Sequence, residues 1–179
     1  MKKTLIAYFS ASGETAKLAK TIGQVTGGDL YEIKPETPYT AADLDWRDKH
    51  SRSTLEMNDE KSRPAIANCV QDMASYETIF VGFPIWWYQA PRIIETFLES
   101  YDFTGKTLIP FATSGGSEMG KTESILKPTC PAAVWLPGKR MRSNEDSSAV
   151  QEWIHAWEFD NPNTNLSLEK HRSSVLFLF

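Results

Sequence analysis

The chain has 179 residues, 41% hydrophobic and 23% charged, which suggests one domain with a sizeable core. Its formal net charge of −4 lacks the basic footprint of a nucleic-acid binder. Cys69 and Cys130 stand alone and His50, His155 and His171 are scattered, so neither a zinc site nor a dithiol motif is indicated.

The elements follow in chain order. Residues 3–9 form a near-continuous apolar run, as expected of a central parallel strand buried on both faces. Residues 14–25 read as a helix, with Leu18 and Ile22 four apart, stopped by Gly27 and Gly28. Residues 30–33 form a short second strand, ended by Pro35 and Pro38. The 34–63 segment is long, polar and charged, with Tyr39, Trp46, Arg47, Arg52, Met57 and Arg63; a helical turn is expected within 41–49. Pro64 is expected to start a helix through about residue 73, with Ile66, Val70 and Met73 at helical spacing.

Residues 78–83 make the third strand, and Pro91 opens a helix carrying Ile93, Ile94, Phe97 and Leu98. Residues 107–112 make the fourth strand, followed by a short helix near 121–126. The fifth strand is expected at 133–136 and the last helix at 146–157. Strand and helix alternate throughout, which implies a parallel sheet covered by helices on both faces. The expected domain spans residues 1–160. The tail at 161–179 opens on the breaker Asn161-Pro162-Asn163 and is expected to be weakly ordered. No apolar run reaches the length of a membrane span and no signal-peptide pattern is present, so a cytoplasmic location with no membrane partner is expected.

Ligands of open parallel α/β sheets bind outside the C-terminal ends of the strands. Three loops there are distinctive. After the first strand, Ser10, Ser12, Gly13, Glu14 and Thr15 bring hydroxyls and backbone N–H groups to a helix start, which suits a phosphate. The plainer alternative is a capped turn with Ser12 as N-cap. After the third strand, Pro84 and Ile85 lead into Trp86, Trp87 and Tyr88, three aromatics that would be badly exposed if nothing covered them. After the fourth, Thr113, Ser114, Gly115 and Gly116 let a backbone approach a flat ligand closely. One ligand accounts for all three: a flat, partly apolar ring with a phosphate-ended tail. No Lys or Arg stands in the first loop, and neither a Gly-Lys-Ser/Thr phosphate loop, an acidic cluster after the first strand, nor a loop cysteine is present. Those absences argue against an NTPase, a response regulator and a low-molecular-weight phosphatase.

Tyr-Phe-Ser-x-Ser-Gly-x-Thr, Gly-Phe-Pro-Ile-Trp-Trp and Phe-Ala-Thr-Ser-Gly-Gly-Ser, in that order after successive strands, resemble the three FMN-binding loops of flavodoxin-like proteins. The resemblance covers about residues 1–157 and is narrower to the short bacterial members of that family. It implies a flavodoxin-like three-layer α/β sandwich with a five-stranded parallel sheet in the order 2-1-3-4-5 and FMN as cofactor. Ser10, Ser12, Gly13, Glu14 and Thr15 would hold the 5′-phosphate. Pro84, Ile85, Trp86, Trp87 and Tyr88 would contact the ring, and Thr113, Ser114, Gly115 and Gly116 would line its other edge. No catalytic side chain and no metal is expected.

Two departures from the family pattern stand out. Glu14 occupies a position where many relatives carry Asn, so its backbone N–H rather than its carboxylate is expected to serve the phosphate. The loop after the fourth strand lacks the tyrosine that often stacks on the flavin in carrier flavodoxins, leaving one face open to a quinone or a nicotinamide. The expected function is therefore an FMN-dependent oxidoreductase linking NAD(P)H to a quinone or similar acceptor. The alternative is a one-electron carrier docking to partner redox proteins. The 34–63 segment is expected to wall the substrate site, to reach a neighbouring subunit of a homodimer, or to remain a solvated loop.

Overall fold

The computed structural model describes residues 3–160; the expectation about the 161–179 tail lies outside them. Strands β1 (Lys3–Tyr8), β2 (Asp29–Glu32), β3 (Tyr76–Pro84), β4 (Thr107–Thr113), β5 (Val134–Trp135) and β6 (Lys139–Arg140) form one parallel sheet. Its order is β2-β1-β3-β4-β5, with β6 also pairing with β4. The helices are α1 (Glu14–Thr26), α2 (Arg52–Asn58), α3 (Arg92–Glu99), α4 (Thr122–Leu126) and α5 (Ser147–Asp160). Among the described residues, no helix is long and apolar enough to cross a membrane.

The strict alternation of side chains along each strand separates two cores. Leu5, Ala7 and Phe9 of the β1 run face Ile93, Ile94, Phe97 and Leu98 of α3. Ile6 and Tyr8 face Leu18, Ala19 and Ile22 of α1 and Val150, Trp153, Ile154 and Trp157 of α5. Both faces of the central strands are covered, which is why they read as unbroken apolar runs. At the centre of the sheet Gly82 leaves room for Phe111, whose Cζ lies 2.1 Å from where a Cβ would stand.

Three sequence expectations need correction. The fifth strand is split into β5 and β6. Pro110, in the middle of β4, offers no N–H to its neighbour, and Pro137 removes another donor from the fifth strand. The ladder resumes when Met141 N–H reaches Ala112 O at 2.9 Å. The helix expected from Pro64 does not form. Residues 65–67 instead pair with the stretch after β2: Ala67 N–H donates to Lys34 O and Glu36 N–H to Ala65 O, both at 2.8 Å. A tertiary pairing thus overrides a local helical pattern, and only a short 3₁₀ turn at Met73–Ser75 remains. Thirdly, the 34–63 segment carries a helix, α2, that periodicity did not predict. Ser51 caps it, its hydroxyl accepting from Thr54 N–H at 3.4 Å.

Candidate functional site

The loops after β1, β3 and β4 meet at the C-terminal edge of the sheet and are bonded to one another. Thr15 Oγ1 lies 2.8 Å from Thr113 Oγ1, a buried hydrogen bond that ties the first loop to the third. Ile85 N–H donates to Thr113 O at 2.9 Å, tying the second to the third. Ser10, Ser12, Gly13, Glu14, Thr15, Pro84, Ile85, Trp86, Trp87, Tyr88, Thr113, Ser114, Gly115 and Gly116 therefore all belong to one edge.

The first loop is made by local chemistry. Gly13 is the residue before α1 and sits at φ 86, a left-handed conformation that glycine adopts without strain. Gly13, not Ser12, holds the N-cap position and has no capping side chain; instead Ser10 Oγ, from further back in the loop, accepts from Ala16 N–H at 3.1 Å. The neighbouring N–H groups of Glu14 and Thr15 stand at a helix start, where no intrahelical acceptor exists. Ser12 and Gly13 are exposed. The Glu14 carboxylate accepts from Lys17 Nζ at 2.6 Å. Hydrogen bonds from the Lys17 ammonium and then the Ser143 hydroxyl hold its carboxyl below the usual carboxylate range. Its negative charge is thus already partnered by Lys17 and Ser143.

The second loop is a tight turn. Trp86 N–H donates to Gln89 O at 2.9 Å and Gln89 N–H to Trp86 O at 3.1 Å. The two residues between them, Trp87 and Tyr88, have φ of 47° and 62°. Two-residue turns of this hand usually take Asn-Gly. Bulky side chains there cost about 1–3 kcal/mol each and persist only where neighbours fix them. Trp87 is 39% and Tyr88 67% exposed. Trp86 is half-buried and meets Phe9 edge-on at 5.7 Å between ring centres. The structure divides the three aromatics, with one wedged into the core edge and two presented outward.

The third loop is open. Ser114 Oγ accepts from Gly116 N–H at 3.1 Å and Ser117 N–H at 2.7 Å. Gly115 and Gly116 are exposed, and a Cβ added at either meets nothing within 4 Å. Beyond it Gly120, at φ 56, lies so close to the second loop that its Cβ would stand 2.3 Å from Tyr88 O. Lys121 N–H donates to that same carbonyl at 2.9 Å.

Residues not singled out as ligand contacts also reach this edge. Tyr39, from the segment after β2, packs on both Trp86 and Phe9. Arg140, opposite Ala112 in the sheet, donates to Glu118 at 2.6 Å, and its buried Nε has no partner among the described residues. Ser143 stands beside Glu14. No local pattern marks these three; only the strand order brings them here.

The geometry fits a ligand with an anionic end and a flat body. The helix start offers neutral donors beside a carboxylate already paired with Lys17, and the third loop offers glycine backbone without side-chain obstruction.

Comparison with known proteins bears on the family of the chain. The sequence profile of the flavodoxin family matches residues 3–157. No curated protein matches the chain. Among solved structures, a protein from Bacteroides eggerthii DSM 20697 assigned as a flavoprotein is 49% identical. It has a TM-score of 0.83, over 87% of this chain and 98% of that one. A protein from Bacteroides uniformis ATCC 8492, also assigned as a flavoprotein, is 51% identical with a TM-score of 0.82, over 86% and 98% of the two chains. The flavoprotein of Lactobacillus acidophilus NCFM, solved in complex with FMN, is 27% identical with a TM-score of 0.64, over 86% and 99%. With the family profile spanning nearly all described residues and the sheet in the order 2-1-3-4-5, the chain belongs to the flavodoxin family.

Proposed function

We propose that the C-terminal edge binds FMN and that the protein is an oxidoreductase passing electrons from NAD(P)H to a quinone or a similar flat acceptor. Family membership and the FMN complex of the Lactobacillus relative support the cofactor. On this reading the N–H groups of Gly13, Glu14 and Thr15 and the hydroxyls of Ser10 and Ser12 hold the phosphate. Ser10 Oγ accepts from Ala16 N–H, so its own proton is free to be donated outward. Thr15 is free to do the same when Thr113 donates in their mutual bond. The pairing of the Glu14 carboxylate with Lys17 offsets its repulsion of the phosphate. Pro84, Ile85, Trp86, Trp87 and Tyr88 form one wall for the ring, and Thr113, Ser114, Gly115 and Gly116 the other. Bound FMN would supply reversible electron storage, and the chain's own part is to hold, orient and shield the ring.

The observation that carries the enzyme reading is the open third loop. Gly115 and Gly116 face open space where a stacking aromatic could have stood, which leaves room for a second flat molecule. The test is NADPH oxidation by the FMN-loaded protein with menadione as acceptor. Turnover above that of an equal concentration of free FMN is expected. A rate equal to free FMN would sink the enzyme reading and leave a carrier that exchanges electrons with protein partners.

A further inference from the structure

The 34–63 segment reaches the site through one side chain. Tyr39 meets the Trp86 ring edge-on at 5.5 Å and the Phe9 ring at 5.6 Å. With the Phe9–Trp86 contact, the three rings form a closed triangle. Phe9 belongs to the buried core. Tyr39 comes from outside the sheet and is fixed by α2. The Arg52 guanidinium carbon lies 3.9 Å from the centre of its ring. The Tyr39 hydroxyl donates to Glu56 Oε2 at 2.5 Å, and Arg52 Nε donates to Glu56 Oε1 at 2.6 Å. Arg52 Nη1 also donates to Thr37 O at 2.7 Å, closing the loop on which Tyr39 sits. Arg52 and Glu56 stand four apart on α2, so one helix face supplies the whole brace.

The brace is itself anchored. Arg92 of α3, almost fully buried, donates to Met57 O at 3.1 Å and to Glu95 at 3.0 Å. Arg63 pairs with Glu99 at 2.9 Å. An unbroken series of contacts therefore runs from α3 through α2 to Tyr39 and Trp86.

We propose that Tyr39, braced by Arg52 and Glu56, is a positioning residue that fixes the 86–88 turn and thereby the wall against which the flavin ring lies. This rests on the FMN reading above. The turn holds Trp87 and Tyr88 in a disfavoured backbone conformation, so it needs outside restraint. Its backbone is tied by Lys121 and Thr113 on the third-loop side. On the opposite side the restraint falls on the Trp86 ring, held between Phe9 and Tyr39. The segment after β2 thus sets the shape of a wall that belongs to the loop after β3.

The test compares Tyr39→Leu, Tyr39→Phe and Arg52→Met in the full chain, titrated with FMN. Tyr39→Leu is expected to weaken FMN binding about tenfold, on the order of what two lost ring contacts supply. It should also change the visible circular dichroism and the midpoint potential of bound FMN. Tyr39→Phe keeps the ring contacts with Trp86, Phe9 and Arg52 and loses only the hydrogen bond to Glu56, so it should lie closer to wild type than Tyr39→Leu. Arg52→Met keeps the ring and loosens its brace, so it should fall between the two, and it carries the test if Tyr39→Leu does not fold. Wild-type affinity, flavin dichroism and potential in both Tyr39→Leu and Arg52→Met would overturn the proposal. Should wild-type protein take up no FMN, the FMN reading alone fails. The near-UV dichroism of the ligand-free proteins then decides: loss of the tryptophan bands in Tyr39→Leu supports a positioning role, and an unchanged spectrum overturns it.

Discussion

The loops after β1 and β3 lie on the same sheet edge and are built by opposite means. In the first, most restraints are close in sequence: Ser10 accepts from Ala16 N–H, Gly13 supplies the left-handed turn, and Glu14 pairs with Lys17, with the Thr15–Thr113 bond as the long-range tie. In the second, two bulky residues occupy left-handed backbone with no glycine between Trp86 and Gln89. Its restraints come from residues far along the chain: Tyr39, Thr113 and Lys121. A loop that relaxes into its own preferred geometry can present backbone donors with little strain. A loop held against its preferences stores strain, and its shape depends on every segment that holds it.

This contrast can be broken most forcefully at Gly120. Gly120→Ala places a methyl 2.3 Å from the Tyr88 carbonyl at a residue with φ 56. A loss of about 2–3 kcal/mol in unfolding free energy is expected, combining backbone strain and steric overlap. Chemical denaturation would measure it, with a changed tryptophan emission reporting displacement of the turn. Wild-type stability would mean that the turn yields easily and stores no strain.

Ser10→Ala probes the local loop. It removes the acceptor of Ala16 N–H and should cost about 1 kcal/mol. Isothermal titration should also show weaker FMN binding, with the tryptophan emission of the 86–88 turn unchanged. A shifted emission would mean that the bonds of Thr113 to Thr15 and to Ile85 transmit the change from the first loop to the second.

The smallest effect is expected at Glu14, and it is a matter of pH. Its carboxyl is held below the usual range by Lys17 and then Ser143, so the folded state favours the ionised form. The resulting stabilisation is present above the carboxyl's ordinary range and is lost as pH falls through its lowered folded value. Thermal melts of wild type and Glu14→Gln should therefore differ slightly at neutral pH and converge in acid. A difference that grows in acid would reverse the assigned sign.

Much of this edge was legible before any coordinates. The hydroxyl-rich loop, the aromatic run and the double glycine each follow a strand that reads as continuously apolar, because those strands are buried on both faces. The capping alternative at Ser12 lies one residue early: Gly13 holds the cap position in left-handed backbone, and only geometry tells that the oxygen reaching Ala16 N–H is that of Ser10. The spacing of Ile66, Val70 and Met73 misled for a different reason. Residues 65–67 are taken up by pairing with 34–36, and periodicity carries no information about a distant partner.

By itself the sequence determined the alternation of strands and helices, the residues at the strand ends and the local chemistry of the first loop. All of these follow from preferences expressed within a few residues. The tertiary structure alone decided that the fifth strand splits opposite Pro110 and that Glu14 has Ser143 as well as Lys17 for company. It alone also brought Tyr39, braced by α2, against Trp86. Those outcomes depend on contacts between segments tens of residues apart, which no local pattern encodes.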